Sequence, residues 1–104
     1  MYYTYDLDSP TSILALLAER IKKRRLEKGL SREALSQLSG IPVPTIAKFE
    51  QKNTVSLKAF IALAMPLGYT EDIKKLLDEP KFSTMNELQQ INGNQNRKRG
   101  RRLK

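Results

Sequence analysis

From Pro10 onward the apolar residues recur with a helical period. Leu14, Leu17, Ala18 and Ile21 stand at i, i+3, i+4 and i+7, one face of a helix packed on a core. That helix is expected to be capped by Thr11 or Ser12, to run to about Lys28 and to stop at Gly29. Arg25 falls on the same stripe, roughly 20° from Leu14 at about 100° per residue. A charge turned toward a core needs a partner. Ser31 then caps a short helix that carries Leu35 and Leu38 and ends at Gly40. A second short helix starts near Pro42 and carries Ile46 and Phe49. Pro42 and Pro44 fit only its first turn, where a missing N–H costs nothing.

Ser56 opens the next helix, whose Leu57, Phe60, Ile61, Ala64 and Leu67 keep helical spacing up to Gly68; Pro66 should kink or loosen its last turn. Thr70 caps a helix from Glu71 to about Asp78, with Pro80 beyond its end. Ser83 or Thr84 opens a last short helix, where Thr84 and Glu87 read as a capping box, and Asn92 and Gly93 close it. Nothing alternates with period two after Asp8, so the fold is expected to be all-α. The pattern divides the chain into an N-terminal arm or short edge strand (1–9), a helical domain (10–79), a short helical extension (80–93) and a basic tail (94–104). The tail has no apolar period and is expected to be disordered when the protein is free.

Composition narrows the chemistry. The 104 residues, 39% hydrophobic and 29% charged, suit one globular domain. Cysteine and histidine are both missing, which excludes disulfides, a Cys/His zinc site, a thiol nucleophile and an imidazole base. No cofactor, metal or catalytic residue is expected. The longest strongly apolar run, Ile13 to Ala18, is far shorter than the roughly 20 residues of a membrane span. Positive charge follows it, so it does not read as a signal peptide, and an intracellular, cytoplasmic protein is the expectation. Net charge is +8, from 19 basic and 11 acidic residues. Arg97, Lys98, Arg99, Arg101, Arg102 and Lys104 account for six of those positive charges. Setting them aside leaves thirteen against all eleven acids, a net of +2 over residues 1–96. A basic tail on a nearly balanced body suits a polyanionic partner.

The stretch Gly29 to Gln51, GLSREALSQLSGIPVPTIAKFEQ, holds two short helices meeting at a glycine turn. Ser36 is small enough for close approach, and Leu35, Ile41, Ile46 and Phe49 would fill the wedge between the helices. This is the sequence form of a helix-turn-helix, whose second helix can enter a major groove; a generic helical hairpin is the alternative. The run from Ile21 to Gly68 resembles the Cro/phage-repressor-type (Xre) helix-turn-helix family. The likeness rests on Arg25, Gly29-Leu30-Ser31, Leu35, Gly40, Ile46, Phe49-Glu50, Ser56-Leu57 and Leu67-Gly68. It implies a five-helix, lambda-repressor-like domain that binds double-stranded operator DNA as a two-fold homodimer. It also implies that Arg25 is buried and paired with Glu50.

Carried over by offset, the same likeness points to Arg32 at the start of the first motif helix and to Val43, Pro44 and Lys48 on the recognition helix. Ser31, Thr45 and Gln51 become candidates for phosphate contact. Arg32 or Lys48 suits a guanine edge or a phosphate alone; Val43 suits a thymine methyl or local packing. Lys22, Lys23, Arg24 and Lys28 read as a solvated face complementing the helix dipole, with phosphate contact the second reading. The tail cations suit DNA phosphates, an acidic partner protein or solubility.

Beyond the motif, Ile73, Leu76, Leu77, Phe82, Met85, Leu88 and Ile91 supply apolar positions, either to cover the domain's own core or to form a dimer interface. Leu67-Gly68, Asp72-Ile73, Pro80, Phe82-Ser83, Glu87-Leu88 and the terminal Arg/Lys cluster together resemble the HipB-type antitoxin regulators. That likeness implies a repressor of its own operon with a HipA-like kinase toxin, intact or split, as partner, and association with the bacterial nucleoid when DNA is bound. A protein-interaction module that neutralises a toxin, with DNA contact incidental, and a solitary phage-type repressor are the alternatives. An enzyme is not expected, because no nucleophile motif or phosphate loop occurs.

Overall fold

The computed structural model describes residues 9–79, 81 and 83–100. The expected arm at 1–8, Pro80, Phe82 and the tail cations Arg101, Arg102 and Lys104 lie outside the described residues. Among the described residues the regular elements are all helical, with no strand: α1 (Pro10–Glu27), α2 (Arg32–Ser39), α3 (Val43–Lys52), α4 (Leu57–Ala64), a 3-10 turn (Met65–Leu67), α5 (Thr70–Lys74) and α6 (Met85–Gly93). Two compact units meet in sequence after Lys74, the first holding α1 to α5 and the second α6.

Short-range chemistry sets most helix ends. Ser31 and Ser56 lie in extended backbone and their hydroxyls accept the N–H of Ala34 and Ala59, at 3.0 and 3.1 Å. At α1 the cap is Ser9, neither Thr11 nor Ser12: Ser9 accepts the Ser12 N–H at 3.0 Å. Pro10 occupies the first turn, where its lost N–H needs no partner. Gly40 closes α2 at φ +77°. A Cβ there would meet nothing within 4 Å, so the left-handed backbone, and not crowding, makes glycine the fitting residue.

The core is one cluster drawn from every helix of the motif. Ala18 and Ile21 of α1, Leu35 of α2, Ile46 and Phe49 of α3, Leu63 and Ala64 of α4 and Leu67 of the 3-10 turn are buried together. Leu30, Ile41, Val55, Phe60, Tyr69 and Ile73 pack against them. Phe49 meets Phe60 edge to face, centroids 6.0 Å apart and planes at 86°, the arrangement ring quadrupoles favour. Each large apolar side chain fully buried here contributes about 1.5–3 kcal/mol relative to exposure.

Several expected faces are turned. Leu38 is 59% exposed and Leu57 73% exposed, and Leu14 is exposed as well. The buried positions of α4 are Ala59, Leu63 and Ala64, so the helix turns that side to the core and Leu57 to solvent. Pro66 converts the end of α4 to a 3-10 turn, since it has no N–H with which to continue the α-helical ladder. The helix expected to reach Asp78 stops at Lys74. Ile73 still packs on the core, whereas Leu76 is exposed and Leu77, at φ +60°, is 94% exposed. With no core under Leu76 and Leu77 the apolar periodicity stabilises nothing, and a further turn of isolated helix is unfavourable.

In the second unit, Thr84 accepts the Glu87 N–H at 3.0 Å and starts α6. The return bond of the box lands one residue earlier than expected, with Glu87 accepting the Ser83 N–H at 2.8 Å. Leu88 and Ile91 are half-buried and Met85 is exposed. No further helix follows Gly93 among the described residues; Asn94 and Arg97 continue in a hydrogen-bonded turn.

Candidate nucleic-acid interface

α2 and α3 are joined by the left-handed Gly40 and by Ile41 and Pro42, and both are anchored through apolar residues facing the same core. In α3, Ile46 and Phe49 are fully buried. Their burial leaves Pro44, Lys48 and Gln51, at i, i+4 and i+7, exposed along the opposite face. Val43 and Thr45 flank that face and are half-buried, so part of each side chain is committed to packing. Asn53 ends the helix in the left-handed conformation, φ +59°, which asparagine tolerates better than most residues. Ser31 is exposed, and its hydroxyl oxygen accepts the Ala34 N–H, leaving its own proton to donate.

A carboxylate with two guanidinium partners lies behind this face. Arg25 Nε donates to Glu50 Oε2 at 2.8 Å, and Arg25 Nη2 to Glu50 Oε1 at 3.1 Å. Arg25 Nη1 donates to the Leu30 carbonyl at 2.8 Å, tying α1 to the link before α2. The Glu50 side chain is 1% exposed and that of Arg25 7%. Burial pushes the Glu50 carboxyl up; hydrogen bonds from Arg25 and Arg32, with their charges, outweigh it and hold the group below its ordinary value. Arg32 supplies the second guanidinium, donating Nε to Glu50 Oε1 at 3.0 Å.

That last contact changes the reading of Arg32, which the sequence presents as a free base- or phosphate-reading cation. One edge of its guanidinium is already committed inside the protein. Eighteen positions separate Arg32 from Glu50, and no short-range rule links them; the helix crossing alone brings them together. Arg24 is also corrected. Its side chain is partly exposed, yet its Nε donates to the Leu67 carbonyl at 3.1 Å, satisfying an acceptor at the end of the 3-10 turn, and its Nη1 lies 3.5 Å from Glu27. The neighbouring Lys22, Lys23 and Lys28 are exposed.

Within the second unit, Arg97, Lys98 and Arg99 are exposed and line a concavity with Gln90, Gly93, Asn94 and Gly100. Among the described residues, no group of three acidic residues is placed to hold a metal ion, and no helix is long and apolar enough to cross a membrane.

A family model described as helix-turn-helix matches residues 21–74, just over half of the chain, from the last two turns of α1 through the α2–α3 motif to the end of α5. Comparison with curated proteins and with solved structures returns no match.

Proposed function

The chain belongs to the helix-turn-helix family, of the Cro/phage-repressor (Xre) type, and from that membership of DNA-binding transcriptional regulators we propose that it is a sequence-specific repressor working as a homodimer on a two-fold operator. In this reading α3 enters the major groove. The observation that carries the reading is the outward face of α3, where Pro44, Lys48 and Gln51 stand exposed over a fully buried Ile46 and Phe49. Lys48 takes a guanine edge or phosphate, Pro44 and the exposed part of Val43 meet a thymine methyl, and Ser31, Thr45 and Gln51 hold the sugar–phosphate backbone. Arg97, Lys98, Arg99, Arg101, Arg102 and Lys104 add phosphate contacts.

The finer role is that of an antitoxin that represses its own operon and binds a HipA-like kinase toxin, intact or split. Support for it is the sequence likeness to HipB-type regulators in the C-terminal third. The exposed Leu76, Leu77 and Met85 beyond the DNA-binding fold agree with it, being apolar surface available to a protein partner. A repressor acts where its operator is, so the protein is cytoplasmic and nucleoid-associated when bound. The test is a binding titration against the DNA upstream of its own gene and against random duplex at two salt concentrations. A specificity ratio of about 10³ or more is expected. A ratio near one, with tight binding to the product of an adjacent kinase-like gene, favours the interaction-module reading instead.

A further inference from the structure

Glu50 does not need Arg32. Arg25 alone places one donor on each carboxylate oxygen, and among the described residues no buried side-chain polar atom lacks a partner. Arg32 nevertheless approaches the same Oε1 to 3.0 Å, bringing a second guanidinium beside the first against like-charge repulsion. Two cations on one carboxylate leave the cluster with one net positive charge. The outer member of the three carries its exposure, Arg32 at 30% against 7% and 1% for Arg25 and Glu50.

An arginine has five N–H donors in one plane. With Nε on Glu50, Arg32 keeps the four donors of Nη1 and Nη2, which make no hydrogen bond among the described residues. Those four form the end-on fork that matches a pair of acceptors, either phosphate oxygens or guanine O6 and N7. A free arginine on the first turn of a helix would lose much rotamer freedom on docking. Arg32 has lost part of it already, because one edge is fixed to a buried carboxylate.

We infer that Glu50 is a positioning residue for duplex recognition: it grips Arg32 by Nε and presents the Nη fork, ordered in advance, to an acceptor pair on DNA at the start of α2. The inference rests on the DNA-binding reading above. It makes the ion pair that holds α1 to α3 also the mount of a DNA-contacting group.

The experiment compares the full chain with Arg32→Ala, Arg32→Lys, Glu50→Gln and the Arg32→Ala/Glu50→Gln double variant. Binding is measured to a duplex selected by the wild-type chain from a randomised library and to a mixed-sequence duplex of equal length, with folding followed by circular dichroism in the same buffer. Arg32→Ala should weaken binding to the selected duplex about tenfold. Arg32→Lys should lose nearly as much, since one ammonium cannot hold Glu50 and also offer a fork. In the Glu50→Gln background Arg32→Ala should cost less than about twofold more, the signature of coupling. A salt slope lower by about 0.9 in Arg32→Ala assigns the fork to phosphate, while an unchanged slope with loss confined to the selected duplex assigns it to guanine.

Undiminished affinity in Arg32→Ala, wild-type affinity in Arg32→Lys, or an equal tenfold loss in both backgrounds overturns the inference. Should Glu50→Gln fail to fold, wild-type affinity in Arg32→Lys still overturns the inference, because that side chain is partly exposed and its replacement does not orphan Glu50. A wild-type chain that selects no duplex removes the repressor reading and this inference with it.

Discussion

Replacing Glu50 by alanine leaves Arg25 inside the domain with its Nε and Nη2 donors unpartnered and only the Leu30 carbonyl still accepting from Nη1. Because the Arg25 side chain is 7% exposed, water screens little of that charge. Removing one member of a buried ion pair costs about 3–5 kcal/mol, most of it the uncompensated partner. Arg32 is partly exposed and rehydrates, so its lost contact contributes less. A domain this small has only about 5–15 kcal/mol of stability to lose. With an m-value of roughly 1 kcal/mol/M, the urea midpoint should fall by about 3 M or more, or the chain should be unfolded without urea. Urea titration followed by circular dichroism reads this directly. A companion double substitution, Arg25→Met with Glu50→Leu, removes both charges and fills the space; it should recover most of the loss, since apolar replacement of a buried pair is often neutral. A Glu50→Ala midpoint equal to wild type would show that the pair does not hold the domain together. A double variant as unstable as the single one would place the cost in packing and not in the orphaned guanidinium.

Three further outcomes are expected. Glu50 sits below its ordinary value of 4.5, so the unfolded chain takes up its proton first on acidification; the stability it contributes is complete above about pH 4.5 and is lost as pH falls through the lower folded value. Urea midpoints measured from pH 6 to pH 3 should therefore drop, and Glu50→Gln should lack that part of the drop; parallel curves would remove Glu50 as its source. Lys48→Ala should weaken specific duplex binding by about tenfold while Lys74→Ala and Lys75→Ala change it little, and equal losses at all three would mean that α3 does not face the groove. Deleting Arg97 to Lys104 should flatten the plot of log affinity against log salt, by up to about 5 units of slope if all six cations meet phosphates. An unchanged slope excludes the tail from DNA.

What could be read from the chain alone is what operates within one turn of helix. Ser31, Ser56 and Thr84 each cap a helix through the N–H three residues on, so spacing reveals them. Gly40 ends α2 for a reason internal to its own φ angle, and the Leu35, Ile46 and Phe49 wedge follows from two short amphipathic helices around one tight turn. The all-helical fold follows from the same local rules. Contacts across the core are another matter, since they depend on how the helix cylinders cross and roll. That geometry, absent from any window of sequence, turned Ala59 and Leu63 inward and Leu57 outward. It stopped α5 where the core beneath it ran out, and it joined Arg24 to a carbonyl 43 positions away. It also committed one edge of Arg32 to Glu50, where the family likeness had suggested only a DNA contact. Local hydrogen bonds are written into short intervals of sequence, whereas a shared carboxylate between three helices exists only once those helices have packed.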